Sequence, residues 1–180
     1  MSRLATIEPT DAHGAAADLL TAVRTALGVT PNMTKVMANS PAVLKGYLEF
    51  SGALAGGALP ATTREAIALA VAQENACDYC LSAHTYIATE LAGLTRQDTE
   101  QARHGSSADP RTAAALTLAV TLTRTRGTLQ DADLKAAREA GLTDGEVAEV
   151  VAHVALNVFT NYFNKAADVD IDWPHVSHLD

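Results

Sequence analysis

Aromatic residues make up only 4% of this 180-residue chain, so its core must be built mainly from closely packed Ala, Leu and Val. Positive charge is also scarce: 13 Lys and Arg stand against 21 Asp and Glu, a formal net charge of -8. That balance excludes the basic surface by which proteins hold a phosphate backbone or an anionic lipid face, so no nucleic-acid partner is expected. No uninterrupted apolar run approaches the roughly 20 residues that span a bilayer. The first residues, Met1 to Pro9, lack a basic stretch followed by an apolar one. The expected location is therefore cytoplasmic, with no membrane association.

Cysteine is the third scarcity, and the most informative. There are two, Cys77 and Cys80, three positions apart. A secreted scaffold would spread several cysteines along the chain to close loops, whereas a lone C-x-x-C points to redox chemistry or to a metal.

What is present reads as helix throughout, with Gly, Pro or a capping residue at each joint. A first helix is expected over Thr10 to Leu27, closed by Gly28. Ser40-Pro41 opens a second that runs toward Gly56-Gly57. Pro60 with Thr62 and Thr63 opens a third through Ala76, and the pattern resumes after Cys77 as far as Leu91. Asp109-Pro110, Asp131 and Thr143-Asp144-Gly145-Glu146 start three more, the last reaching about Ala167. No segment reads as a convincing strand, and the expected fold class is all-α. Length fits one domain over 1–180, with an extended tail from about residue 168 that could lie across a partner subunit. A faint internal echo relates Glu65 to Glu146, each acidic before an Ala/Val run.

The chemistry gathers around the cysteines. A thiol attacks as its thiolate, and the first turn of the helix after Ala76 offers backbone N–H groups and a dipole that favour negative charge. His84, four residues beyond Cys80, lies over the same helix face and can exchange a proton with that sulfur. The dipole favours Cys77 as nucleophile; the spacing to His84 favours Cys80. Glu65 is twelve residues before Cys77, roughly 18 Å away along a continuous helix. It can reach His84 only if the chain reverses near Asn75-Ala76, so the site requires a helical hairpin.

The pattern Glu65-x11-Cys77-x2-Cys80-x3-His84 resembles the active site of the AhpD-like alkylhydroperoxidases within the carboxymuconolactone decarboxylase superfamily. Ala38-Asn39-Ser40-Pro41 with Leu44 and Tyr47, Asn161-Tyr162-Phe163-Asn164, and Asp170-Ile171-Asp172-Trp173-Pro174 are similar to its peroxidase-related members. The resemblance covers roughly residues 30 to 174. It implies an AhpD-like helical bundle, assembled as a homo-oligomer, that reduces hydroperoxides. Cys80 would attack the peroxide, Cys77 would resolve the sulfenic acid as a disulfide, and Glu65 and His84 would relay protons. A dithiol reductant, a lipoylated or thioredoxin-like protein, would restore the thiols, with no bound cofactor or metal. The best-known members carry a histidine where Tyr79 stands; Tyr79 either shapes the substrate pocket or packs its ring.

Other readings compete. The cysteines could be two buried small hydrophobes. Cys77, Cys80 and His84 could bind zinc, with Glu65 or a distant His as fourth ligand. A disulfide reductase or isomerase, or a redox-sensing protein, would use the same pair. The superfamily's decarboxylases, by that resemblance, lack paired cysteines. Elsewhere, His153, Asn157, Asn161 and Asn164 form a polar stripe on the last helix, facing solvent, a pocket or a subunit interface. His13, His104, His175 and His178 read as surface residues without helical partners.

Overall fold

The computed structural model describes residues 1–179 and contains, among them, nine α-helices and no strand. In chain order these are α1 (Ala15–Leu27), α2 (Asn32–Met37), α3 (Pro41–Ala55), α4 (Ala61–Glu74), α5 (Asp78–Glu90), α6 (Arg96–Arg103), α7 (Pro110–Thr125), α8 (Asp131–Glu139) and α9 (Asp144–Ala167). The all-α expectation holds.

At the centre lies α4, against which α5, α6, α7 and α9 all pack. The run Ala66 to Ala72 is buried at every position. A helix apolar on all sides belongs inside, and its small residues let four neighbours approach closely. This explains how a core is made with so few rings. A smaller cluster of Leu20, Val23, Met37 and Leu44 joins α1, α2 and α3, with Met33 and Phe163 touching both clusters.

Most helix starts fall where the capping residues put them. Ser40, Asp109 and Thr143 each accept a first-turn backbone N–H through the side chain. Two helices were not anticipated. α2 has six residues, too few to display a period, whereas α6 is announced by a Thr95/Asp98 capping box that spacing alone could have found. The first helix begins at Ala15 rather than Thr10. Glu8 to Asp11 turn through an Asp11 N–H to Glu8 carbonyl bond, and Gly14 takes a positive φ of 56° at the helix start.

Glu146 and Glu65 turn out to have unrelated environments. Glu146 completes the capping box of α9 with Thr143 and pairs with Arg111, whereas Glu65 lies beyond the first turn of α4 and faces His84. The echo between them carries no shared role.

After Asp168, left-handed at φ 49°, the chain continues without helix or strand. It folds back over α5 of its own chain. Val169 plugs the core, the Val176 N–H donates to Ser82 Oγ at 2.9 Å, and the His178 N–H and Nδ1 meet Asp78 Oδ1 at 2.9 and 2.7 Å. His178 therefore does have a helical partner, unlike the other three exposed histidines His13, His104 and His175.

Candidate active site

The hairpin that the motif requires is present. α4 ends in a Schellman motif: the Ala76 N–H donates to the Gln73 carbonyl at 3.0 Å and the Cys77 N–H to the Ala72 carbonyl at 2.9 Å. Ala76 takes the left-handed conformation (φ 48°) that glycine usually supplies. The chain thereby turns back, and α5 runs antiparallel to α4.

Cys77 caps α5, its Sγ accepting the Cys80 backbone N–H at 3.3 Å, while Cys80 lies in the first turn. The two are joined as a disulfide and are nearly inaccessible, at 1% and 2% exposure. With the sulfurs joined, the Cys77–Cys80–His84 zinc set is not assembled, and no cluster of three His, Cys, Asp or Glu suited to a metal exists among the described residues.

One turn beyond Cys80, His84 Nδ1 lies 2.8 Å from Glu65 Oε2, both side chains partly exposed. A carboxylate oxygen accepts, so this contact puts the ring proton on Nδ1 and leaves Nε2 free. Glu65 is also felt by its other neighbours. The Tyr47 phenol is pushed up to about 12, first by burial and then by the Glu65 charge.

A cavity of about 480 Å³ opens over this segment. Cys80 and His84 line it; Cys77 does not. Its walls are Leu27, Val29, Met33, Tyr47, Tyr86, Ile87, Leu91 and Trp173, without a single Lys or Arg. The space suits an uncharged, largely apolar organic molecule.

Tyr79 contributes its ring to this wall and its hydroxyl to a clasp. The hydroxyl donates to Asp172 Oδ1 at 2.9 Å and accepts the Met33 backbone N–H at 3.1 Å and Trp173 Nε1–H at 3.3 Å. Asp172 Oδ2 in turn accepts the Asn32 N–H at the start of α2. Burial foremost drives the Tyr79 phenol far above its ordinary range, with the Asp172 charge acting the same way. Tyr79 thus both borders the cavity and packs against the tail.

The polar stripe of α9 is buried, at 6% exposure or less for all four residues, and faces α4 and α5 rather than solvent. Asn161 Oδ1 accepts Asn75 Nδ2–H at 2.9 Å, fastening the hairpin turn, and Asn164 Nδ2 donates to Cys80 Sγ at 3.3 Å. Burial also holds the His153 imidazole below its ordinary value. The sequence marks Asp172 and Trp173 as part of the tail and of the family resemblance, but nothing in a local pattern shows which helix an extended segment will cross.

Fold and site together define an all-helical protein with a C-x-x-C pair at the mouth of a helical hairpin. The chain belongs to the carboxymuconolactone decarboxylase family, whose pattern matches residues 41–115 and again 99–170. Its fold is that of the AhpD core. A peroxidase-related protein from Ralstonia eutropha JMP134 superposes with a TM-score of 0.85 at 23% identity, covering 95% of this chain and 92% of that one. A second peroxidase-related protein, from Silicibacter sp. TM1040, gives 0.77 at 24% identity, over 86% and 83%. A variant of the debrominase Bmp8, in complex with 2,3,4-tribromopyrrole, gives 0.79 at 21%, over 94% and 91%. No curated protein sequence matches the chain. Among the described residues, no helix is long and apolar enough to cross a membrane.

Proposed function

We propose that this protein is a thiol-dependent peroxidase that reduces organic hydroperoxides through a reversible Cys77–Cys80 disulfide. The observation that carries the reading is that Cys80, alone of the pair, borders the apolar cavity, together with a histidine held by Glu65. In the reduced protein His84 takes the Cys80 proton. The thiolate then attacks the outer peroxide oxygen: an S–O bond forms, the O–O bond breaks, and the departing alkoxide takes the proton from His84. Cys80 is oxidised by two electrons to the sulfenic acid and the hydroperoxide is reduced to the alcohol. The Cys77 thiolate next attacks the Cys80 sulfur, forming the disulfide and releasing water once the leaving hydroxide is protonated. A lipoylated or thioredoxin-like dithiol then reduces the disulfide by exchange.

Glu65 keeps the His84 ring in the tautomer this requires and steadies it when charged. Tyr79 supports the pocket without relaying protons, since its hydroxyl is fully engaged. The lack of a cationic wall residue argues against turnover of a carboxylate substrate, and so against the decarboxylation that gives the family its name. The exposed Phe50, Val151, Phe159 and Tyr162 on α3 and α9 support assembly as a homo-oligomer, and the reducing cycle fits a cytoplasmic setting.

A second reading uses the same sulfurs. The aromatic pocket, without Lys or Arg, would also hold a halogenated ring, and the dithiol could replace C–Br by C–H, releasing bromide and a proton as the disulfide forms. The test is direct: the reduced protein is titrated with cumene hydroperoxide and, separately, with tribromopyrrole, and thiols lost and bromide released are counted. Loss of two thiols per hydroperoxide, with no bromide released from tribromopyrrole, supports the peroxidase. Thiols that persist for hours with the peroxide would sink it, and bromide release in the second arm would put the dehalogenase in its place. Turnover of a protein disulfide in the absence of any peroxide would instead indicate a disulfide reductase.

A further inference from the structure

Asn164 is buried on α9 at 3% exposure, and its amide is oddly satisfied. Nδ2 donates to two sulfurs, Cys80 Sγ at 3.3 Å and Met33 Sδ at 3.2 Å, while Oδ1 is buried without any partner. Neutral sulfur is a weak acceptor, and a buried carbonyl with no donor is a net cost to the fold. Leucine has the same branched shape and would bring no unpaired carbonyl, at the cost of two bulkier methyl groups. Stability alone therefore gives no reason for asparagine here.

Charge on the sulfur changes the balance. A thiolate accepts strongly, and a donor already aimed at it gains most when the negative charge arrives. The two sulfurs of the pair have separate donors. Cys77 Sγ takes the Cys80 backbone N–H at the start of α5, so the helix terminus serves the first cysteine, and Cys80 Sγ takes the Asn164 side chain. We propose that Asn164 is a catalytic residue whose amide N–H holds negative charge on the Cys80 sulfur, supplying to that cysteine what the start of α5 supplies to Cys77. The inference rests on the reading of Cys80 as the attacking sulfur.

The experiment measures the pH midpoint of iodoacetamide alkylation of Cys80 in a Cys77→Ser background, with thiolate absorbance as an independent readout. Asn164→Leu is expected to raise that midpoint by about one pH unit, roughly a tenfold loss of thiolate below it, while still unfolding in one cooperative transition. Asn164→Asp keeps the shape but replaces the donor by an acceptor, and is expected to raise the midpoint at least as far. An unmoved midpoint in both variants overturns the proposal, and if Asn164→Leu does not fold, Asn164→Asp decides by the same rule. A parallel hydroperoxide titration separates this inference from the proposed function. A shifted midpoint without thiol loss to peroxide leaves Asn164 in its role and removes the peroxidase; thiol loss with an unmoved midpoint does the reverse.

Discussion

His84 Nδ1 and Glu65 Oε2 meet at 2.8 Å across 19 positions of sequence, joining the middle of α5 to the first part of α4. The contact can form only because the turn at Asn75 to Cys77 reverses the chain, so the pairing depends on how α4 ends. Each link of this arrangement can be tested separately.

The proposed peroxidase cycle gives the two cysteines unequal duties. Cys80→Ser is expected to abolish thiol-dependent reduction of hydroperoxide, whereas Cys77→Ser should accumulate one dimedone-trappable sulfenic acid per chain, read by intact mass. If the trapped species appears in the Cys80→Ser protein, the roles are reversed.

Removing the base should leave the fold but slow the chemistry. His84→Ala is expected to lower the rate of thiol oxidation by about 10² to 10⁴, with Glu65→Gln giving a smaller loss because only the orientation and charge support of the ring are lost. Stopped-flow tryptophan fluorescence follows both, since Trp173 lines the same cavity. Equal rates in all three proteins would remove the pair from the mechanism.

Tyr79→Phe deletes one hydroxyl and three hydrogen bonds, to Asp172, Trp173 and the Met33 N–H. The expected cost is about 1–3 kcal/mol, with faster amide exchange localised to the tail around residues 172–176. The pH dependence of the reaction should keep its shape, because the phenol is held far above the working range. A changed pH profile with an unchanged exchange map would mean that Tyr79 handles protons after all.

The loop before α4 is pinned by a carboxylate. Glu149 accepts the Ala58 and Leu59 N–H groups at 2.7 and 2.9 Å and fills the space beside Gly57, where an added Cβ would meet the carboxyl group at 2.6–2.8 Å. The carboxyl cannot retreat without breaking both bonds, so Gly57→Ala is expected to cost about 1–3 kcal/mol in urea unfolding. Gly56→Ala, whose added Cβ would find its nearest neighbour at 3.6 Å, serves as the control that should not.

His153 gives the fold a pH dependence near neutrality. Burial, reinforced by the Arg64 charge and opposed by Glu149 and Glu65, holds its pKa below the ordinary 6.5. The unfolded chain therefore binds a proton near pH 6.5 that the folded chain resists, so this residue makes stability fall as the pH drops through that range. Glu146 and Glu149, held below the ordinary 4.5 chiefly by backbone N–H bonds, lose their contribution only in more acid solution. The drop in melting temperature between about pH 7.5 and 5.5 should be smaller for His153→Gln than for the parent. Equal drops would show that another group titrates in this window.

Some features of this protein could be read without its fold because they depend on neighbours in sequence. The scarcity of rings and strand signals gave an all-helical chain, since helical periodicity and capping are local. The order Glu65, Cys77, Cys80, His84 named the reactive groups and even the need for a turn between them, since a helix rises a fixed distance per residue. The weighing of Cys77 against Cys80 stayed open at that level, because a helix start and a four-residue spacing pull in opposite directions.

Tertiary structure decided what depends on distant segments meeting. Asn164 reaches Cys80 across 84 positions, and Asp172 reaches Tyr79 across 93, and no local period encodes either contact. Only packing could show that the asparagine stripe faces inward, that the tail crosses its own chain, and that Cys80 but not Cys77 borders the cavity. Sequence supplied the candidate reacting groups; the enclosure that separates one sulfur from the other exists only once α2, α5, α9 and the tail have closed around it.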